Sequence, residues 1–558
     1  MRSTTEPYAT FVEHQSGNQD LATMNYLAEI SPRAVTITSA ALGILFLLFS
    51  ITKFVLQTRR PPGFPPGPPT KLGLGNVHQV PLKKPYLKFQ EWHKTYGDII
   101  GLKMGPKNFV VLSSPALLHE AFVKRGVKYG GRPTASVAIQ NILSQGTHRL
   151  HIIFMPYDRA LNKWRGAVRH LLTPDAVVRQ ADIMSSVGDK LVYNLLHKSA
   201  GWVSCIQRWA LEMPLLAIAG RRLEDYGPGF AEWYLDNQHD WLDFLEPSST
   251  PPVELFPWLI YLPSFLATWK VRAAKIRKGV REIYFKTLDA TKKKVADGAD
   301  RSDSLYTHLL RQREQPGKQE AFTDDQLAFM GGGLLDAALD TTLSGFETLL
   351  MCLVTHEDAM KRAREEVDQV CGENMPRCED MKNLPFLTAC LMETLRWRGP
   401  ANIALPHLLT EDDVLGGYAI PKGTTILANI HSVHLREEDY DRPTEFIPDR
   451  FLANGSGSTE DPGRKLLYSF SLGRRSCPGE DFAKTFIVTT AAKMLWAFDI
   501  TTQDGRRPDL SWETGFASGL VTSPQGFKPK LMPKTEERSR VVAERFQASE
   551  EYLSKWFG

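Results

Sequence analysis

The arrangement of apolar and polar positions separates a long uncharged segment near the N-terminus from a body with mainly helical periodicity. The segment AVTITSAALGILFLLFSIT begins at Ala34 and carries no charge, and about twenty apolar residues are enough for a helix to cross a bilayer. From about Leu117 onward, apolar residues recur at helical spacing. Two runs, Asp98–Ser114 and Val414–His434, resemble strands joined by glycine turns. The sequence therefore predicts a mainly α fold, a large helical domain with small β-sheets, preceded by one N-terminal transmembrane helix.

The same pattern divides the chain into five parts. We expect a short lumenal tail at 1–33, a transmembrane anchor at 34–56 and a proline-rich hinge at 57–75, where RRPPGFPPGPP fixes backbone angles and removes amide donors. No flexible linker interrupts the following residues. They are predicted to form one large domain at 76–535, followed by a C-terminal tail at 536–558.

Charge and cysteine content narrow the class of protein. The chain has 67 basic and 63 acidic residues, a balance that argues against a nucleic-acid-binding protein. Its six cysteines contain no CxxC pair, so neither a disulfide scaffold nor a zinc ribbon is indicated. Lys53, Arg59 and Arg60 follow the apolar segment, which predicts a cytosolic body. A cleaved signal peptide is the alternative, but the apolar segment is long and lacks a clear cleavage site.

One later segment, Pro251–Leu266, is aromatic, nearly uncharged and interrupted by prolines. It is too short and too broken to span a membrane. Two interpretations remain open from the sequence: a buried loop, or a loop that dips into the membrane surface beside a substrate entrance.

The stretch FSLGRRSCPG surrounds one cysteine, Cys477, with turn residues and positive charge. Gly473 and Gly479 allow close approach of the backbone to another group. Pro478 is typical of a first helical turn, and the free N–H groups of a helix N-terminus favour a thiolate. Arg475 can pair with a carboxylate of a bound cofactor. The alternative is that Cys477 is a small buried apolar residue.

A second candidate lies in an apolar run that starts with a capping box, Thr323 and Gln326. Asp340 and Thr341 interrupt this run, and burying such polar groups without a function is costly. They can also be ordinary polar residues of a helix. Gly331–Gly333 weaken the helix. From the sequence, they either soften it or admit a bulky substrate.

The cysteine stretch resembles the haem-thiolate monooxygenases of the cytochrome P-450 superfamily. The pattern F-x-x-G-x-R-x-C-x-G is filled by Phe470, Gly473, Arg475, Cys477 and Gly479. The resemblance implies haem b, with Cys477 as the axial ligand of the iron and the other four residues around the cofactor. It extends over roughly residues 61–535.

Two further motifs agree with this resemblance. In AALDTT, it implies that Thr341 hydrogen-bonds dioxygen and that Asp340 relays protons; Ala338 stands where glycine is usual, which predicts a slightly narrower groove. The motifs ETLR and FIPDRF imply a buried charge triad behind the haem, whose two arginine forks satisfy one carboxylate. Its members are Glu393, Arg396 and Arg450.

The resemblance is incomplete on an early helix, where W-x-x-x-R commonly holds the haem propionates. Trp164 is present, but Val168 takes the arginine position. Arg169, one residue later, and Arg165 are the two candidates for the arginine. Substrate contacts are expected by position only, with ordinary packing as the alternative, in Ile142–Phe154, Gly399–Pro406 and Phe516–Thr522.

The resemblance implies an enzyme that inserts one oxygen atom of O₂ into an apolar small molecule, most similar to fungal microsomal members of secondary metabolism. No flavin or dinucleotide motif is present, so NADPH is expected to act through a separate flavoprotein reductase in the endoplasmic reticulum membrane. A basic face near Cys477 would suit an acidic reductase, although plain solvated charge is the alternative. The residues of this face are Arg464, Lys465, Arg474 and Lys484.

Two other functions stay open: a haem-thiolate isomerase or dehydratase that needs neither O₂ nor reductase, and a non-catalytic haem sensor.

Overall fold

The computed structural model describes residues 32–133, 150–197, 201–246, 248–253, 257–315, 322–452 and 467–558. It confirms the predicted mainly α fold with small sheets. The α-helices of the described residues are α1 Pro32–Gln57, α2 Pro85–Tyr96, α3 Pro115–Leu118, α4 Arg159–Leu172, α5 Pro174–Arg179, α6 Ala181–His197, α7 Trp202–Ala219, α8 Phe230–Leu245, α9 Thr268–Ala296, α10 Leu305–Arg313, α11 Asp324–Thr355, α12 Glu357–Cys371, α13 Pro385–Arg398, α14 Ile430–His434, α15 Glu480–Ala497 and α16 Glu536–Phe557.

Three small sheets accompany the helices. The strands are β1 Ile99–Met104, β2 Lys107–Leu112, β3 His407–Leu408, β4 Asp413–Leu415, β5 Tyr418–Ile420, β6 Thr425–Ala428, β7 Phe498–Thr502 and β8 Pro529–Pro533. The largest sheet has the order β1-β2-β6-β3, with β2 and β6 parallel, and the pairs β4–β5 and β7–β8 form the other two. The strand-like run that starts at Val414 ends differently from the prediction, because its last residues form α14.

The apolar helix α1 stands apart from the packed body. Its segment Thr36–Gln57 has a mean hydropathy of 2.1, and none of its most apolar window is buried. Among the described residues, one other helix, α11, is apolar enough to cross a membrane, but 61% of its window lies inside the protein. Therefore α11 is a core helix, and α1 is the element that fits a membrane anchor.

The hinge is attached to the body by side-chain hydrogen bonds. Arg60 donates to the carbonyls of Gly67, at 3.2 Å, and of Gly101 in β1, at 3.1 Å. Asn76 donates to the Pro68 carbonyl at 3.0 Å. Prolines leave carbonyl groups without neighbouring amide donors, and these two side chains supply the donors that fix the hinge against the sheet.

The central helix α11 begins at the predicted capping box: the Thr323 amide donates to Gln326 Oε1 at 2.9 Å, and the Gln326 amide donates to Thr323 Oγ1 at 3.3 Å. The glycine run has a packing reason. A Cβ atom on Gly331 would lie 2.0 Å from the Tyr306 hydroxyl oxygen, and one on Gly332 would lie 2.1 Å from the Tyr284 ring. The glycines therefore admit two tyrosines of the neighbouring helices α9 and α10.

Residues 536–558, predicted as a tail, instead form a packed helix, α16. Ser549 of this helix donates to Asp189 of α6 at 2.8 Å, and Arg545 forms an ion pair with the same carboxylate. Asp189 also pairs with Lys493 of α15, and neither side chain reaches solvent. A buried carboxylate needs several donors, and α16 supplies two of them.

The described part of Pro251–Leu266 reaches the surface after Val253. Tyr261 is 85% exposed, Phe265 80% and Leu266 63%. The buried-loop interpretation is therefore wrong for these residues, and the segment presents a cluster of large apolar side chains to the surroundings.

Candidate functional site

Cys477 lies at the end of a tight turn that precedes α15. Its amide donates to the Phe470 carbonyl at 2.8 Å, which closes the loop around the short helical turn Gly473–Arg475. The side chain of Cys477 is exposed. The helix begins at Glu480 with Gly479 as N-cap, so Pro478 precedes the helix and does not occupy its first turn as predicted.

The two glycine positions of the turn, Gly473 and Gly479, differ in why they lack a side chain. Gly473 has φ +71°, and a Cβ there would lie 2.0 Å from the Phe122 carbonyl oxygen, so this glycine serves the fold. A Cβ on Gly479 would meet only the Cys477 sulfur, at 3.9 Å. Gly479 therefore leaves room beside the Cys477 sulfur that a larger residue would take.

A group of cations surrounds this turn. Arg475 donates to the carbonyls of Gly130, at 3.0 Å, and Met155, at 2.6 Å. Burial lowers the pKa of Arg475 to about 10, with the charge of Arg165 adding to the effect. Burial and the charge of Arg475 lower the pKa of Arg132 to about 9. Among the described residues, no carboxylate forms an ion pair with these arginines.

The early helix α4 contributes one arginine to this group. Arg165 donates to the Ser476 carbonyl at 3.2 Å, next to Cys477. Burial lowers the pKa of Arg165, and the charge of Cys477 opposes this shift. Arg169 is exposed, and no described hydrogen bond connects it to the group. Of the two candidates, the structure therefore places Arg165 at the site and does not bring Arg169 there. Trp164 is buried, as the motif requires.

The residues around Cys477 fit the haem that the resemblance implies. The indole Nε1 of Trp164 and the Nε of Arg132 are buried donors without a partner in the described part of the chain. Buried donors and clustered cations are costly unless an anion satisfies them. The two carboxylates of haem would supply that anion, and Cys477 would supply a sulfur ligand.

Sequence reasoning missed Arg132, which donates to the carbonyls of Leu405 and Pro406, both at 2.7 Å. It also missed the neighbouring His407. Burial and the charge of Arg132 lower the pKa of His407 to about 3. Neither residue belongs to a motif. They lie beside each other because the segment before Arg132 bonds with β3: the Leu408 amide donates to the Gly131 carbonyl at 3.0 Å.

On the central helix α11, a less buried stripe interrupts an otherwise buried surface. Ala337 is exposed, and Leu334, Ala338 and Thr341 are half-buried; these positions share one helix face. The Thr341 hydroxyl donates to the Ala337 carbonyl at 2.7 Å. The stripe combines three apolar side chains, Leu334, Ala337 and Ala338, with the hydroxyl of Thr341.

Asp340 lies beside this stripe and accepts a hydrogen bond from a residue of another helix. Its Oδ2 accepts a hydrogen bond of 3.1 Å from Gln238 of α8. Burial raises the pKa of Asp340, and the nearby Asp336 raises it further, while the Gln238 amide opposes both. A carboxyl group in such surroundings retains a proton at higher pH than usual. Neither Gln238 nor Asp336 was identified from the sequence.

The structure brings the three members of the predicted charge triad together. Arg396 binds Glu393 through two hydrogen bonds of 2.7 and 2.8 Å, and neither side chain is exposed. Arg450 approaches the same carboxylate at 3.3 Å. The Ile447 amide adds a fourth donor at 2.8 Å. This buried carboxylate is therefore fully satisfied.

Two of the candidate substrate-contact segments meet beside α11. Asn402 donates to the Thr522 hydroxyl at 2.9 Å, and Ser344 of α11 donates to the Thr522 carbonyl at 2.6 Å. Residues 142–149 of the third segment, and Arg464 and Lys465 of the predicted basic face, lie outside the described residues. Arg474 is exposed on that face.

Known proteins are similar in sequence to this chain over most of its length. The family model described as cytochrome P-450 matches residues 65–531. The cytochrome P-450 monooxygenase yanC of Aspergillus niger is 29% identical over 93% of this chain and 98% of its own length. The cytochrome P-450 monooxygenase grgG of a Penicillium species is 32% identical over 86% of this chain and 90% of its own.

Solved structures of a zebrafish cytochrome P-450 have a similar fold. The structure with progesterone has a TM-score of 0.67 and 23% identity, and covers 81% of this chain and 99% of the zebrafish chain. The structure with abiraterone has a TM-score of 0.64 and 21% identity, with coverage of 81% and 100%.

Proposed function

Because the chain belongs to the cytochrome P-450 family, we propose that it is a haem-thiolate monooxygenase that inserts one oxygen atom of O₂ into an apolar small molecule. The observation that carries this proposal is the exposed Cys477 beside Arg165, which bonds the neighbouring Ser476 carbonyl, together with the buried donors of Trp164 and Arg132 that have no partner among the described residues. Hydroxylation, epoxidation and multistep oxidation are the reactions that this site can perform.

The residues around the turn would hold the haem. Cys477 supplies the thiolate ligand, while Trp164 and three arginines, Arg132, Arg165 and Arg475, provide donors for its carboxylates. When bound, the haem supplies the O₂ chemistry, and the thiolate increases electron density at the iron. The triad of Glu393, Arg396 and Arg450 supports the fold near this turn and takes no part in the reaction.

Residues of α11 would supply the protons that O₂ reduction consumes. The raised pKa of Asp340, caused mainly by burial, lets this carboxyl group keep its proton to a higher pH than an exposed aspartic acid does. The Thr341 hydroxyl can donate and accept, so it can pass a proton onward. Asp340 and Thr341 distinguish this proposal from a haem isomerase or a sensor, which need no proton delivery to oxygen.

The electrons would come from NADPH through a separate flavoprotein reductase. We place both proteins in the endoplasmic reticulum membrane, with α1 as a single-pass anchor and the body in the cytosol. The exposed side chains of Tyr261, Phe265 and Leu266 would touch the same membrane. Arg474 and Lys484 lie near the Cys477 turn and would form part of the reductase-binding face.

An apolar metabolite is the expected substrate class, because the open face of α11 presents Ala337, Ala338 and Leu334. The relatives are fungal monooxygenases, which supports a role in secondary metabolite biosynthesis.

The proposal is tested with the full chain, reductase and NADPH in membranes, incubated with metabolite extracts under isotopically heavy dioxygen. A monooxygenase yields a product that carries one heavy oxygen atom and requires both NADPH and reductase. A product formed without NADPH and without the isotope would identify an isomerase or dehydratase. Haem binding without any product from substrates of relatives would favour the sensor.

A further inference from the structure

Polar side chains around Asp336, one helical turn before Asp340, form a buried cluster that the proposed function does not use. Asp336 Oδ1 accepts the Tyr234 hydroxyl at 3.0 Å, and Oδ2 accepts the Tyr284 hydroxyl. His151 Nε2 lies 3.6 Å from Oδ2. These three partners come from α8, α9 and the segment before α4, so the cluster joins separate parts of the chain to the central helix.

Gln238 connects this cluster to Asp340. Its Nε2 atom donates to the Asp336 backbone carbonyl at 3.1 Å and to Asp340 Oδ2 at 3.1 Å. A side-chain amide nitrogen has two hydrogens, so both are used. Gln238 is buried, and Tyr234, one turn earlier on α8, is fixed by its bond to Asp336. The amide is thus held between two points of α11.

The direction of this bond restricts where Asp340 can carry a proton. An amide N–H only donates, so the lone pair of Oδ2 that accepts it must remain available. In the neutral acid the oxygen without the proton is the stronger acceptor, so the bond to Oδ2 favours the proton on Oδ1. We propose that Gln238 is a positioning residue for Asp340, which holds Oδ2 in place and favours the transferable proton on Oδ1. This inference rests on the proposed function, in which Asp340 delivers protons.

The groups that face Asp340 act in opposite directions on its charge. Burial and the carboxylate of Asp336 favour the neutral acid, whereas the Gln238 amide and His239 of α8 favour the charged form. Removing Gln238 therefore raises the pKa of Asp340, and removing the charge of Asp336 lowers it. If Gln238 and Asp336 only filled space, replacing them would not shift the pKa of Asp340 in opposite directions.

The experiment is an infrared difference titration of the haem-loaded full chain, in which the protonated carboxyl band of Asp340 is identified by its loss in Asp340→Asn. Gln238→Met keeps the length of the side chain and removes its donors, and we expect its titration midpoint to move to higher pH. We expect Asp336→Asn to move the midpoint to lower pH. Gln312→Met, which replaces a glutamine bonded to His308 on α10, should leave the midpoint unchanged.

The inference would be overturned if Gln238→Met had the same titration midpoint as Gln312→Met. It would also be overturned if Gln238→Met and Asp336→Asn shifted the midpoint in the same direction. If Asp336→Asn does not fold, the comparison of the two glutamine variants still decides. The titration needs no turnover. A failure of the proposed function would instead appear as absent oxygen incorporation while the shifts are observed.

Discussion

Arg165 and Arg169 lie one turn apart on α4, and only Arg165 reaches the Cys477 turn, through its 3.2 Å bond to the Ser476 carbonyl. Residues four apart share one helix face, so the sequence pattern alone could not choose between them. The choice depends on how α4 docks against the loop before α15, which is a property of the tertiary structure.

Replacing Arg165 should weaken haem binding more than replacing Arg169. A lost hydrogen bond from a charged group costs about 1.5–3 kcal/mol, so Arg165→Leu is expected to release haem roughly ten to a hundred times faster. The measurement is the rate of haem transfer from the protein to an excess of apomyoglobin. Arg169→Leu, the matched control, should behave like the unaltered protein. Equal rates in the two variants would contradict the assignment of Arg165.

Glu393 is the negatively charged member of the triad, and its carboxylate balances the charges of Arg396 and Arg450. In Glu393→Gln, two buried guanidinium groups lose this compensation, and removing one partner of a buried pair typically costs about 3–5 kcal/mol. We expect a lower melting temperature and little haem incorporation. Glu438→Gln removes an exposed carboxylate 3.7 Å from Arg436 and should change stability by less than about 1 kcal/mol. Normal stability of Glu393→Gln would argue against the triad.

At the scale of elements, α11 shows how a helix can use residues of poor helix propensity. Gly331 and Gly332 leave room for Tyr306 and Tyr284, and Tyr284 in turn binds Asp336 on the same helix. From the sequence, the glycines could either soften the helix or admit a bulky substrate, and their contact with the tyrosines was not foreseen. Their function depends on tyrosines more than twenty residues away in the chain.

Adding one methyl group at Gly332 should therefore destabilise the protein, although alanine is the better helix former. The new Cβ would lie 2.1 Å from the Tyr284 ring, and overpacking costs about 1–3 kcal/mol. Gly166→Ala on α4 is the matched control, because its Cβ would meet no atom within 4 Å; it should stabilise by up to about 1 kcal/mol. Denaturant unfolding measures both. A Gly332→Ala protein as stable as Gly166→Ala would contradict this packing.

The last helix shows what the sequence prediction lacked. Residues 536–558 were predicted as a C-terminal tail beyond the family resemblance. They fold as α16 because Ser549 and Arg545 complete the shell of a buried carboxylate, Asp189 of α6. Such a partner, more than 350 residues away in the chain, cannot be identified from local periodicity.

At the scale of the whole molecule, the sequence predicted the elements whose signals are local. The apolar helix α1, the strands around Gly105 and the turn of Cys477 depend on short patterns, and all are present. The donors Arg132 and Gln238 depend on how distant elements pack, and no motif contains them. The outline of the site was therefore predictable, and its polar lining was not.

The central claim is that Cys477 is the sulfur ligand of a bound haem, and the reduced carbon monoxide difference spectrum tests it most directly. The unaltered protein should show the thiolate-type Soret band. Cys477→Ala should lose this band, whereas Cys378→Ala, which replaces a half-buried cysteine of another element, should retain it. A thiolate-type band that persists in Cys477→Ala would contradict the account.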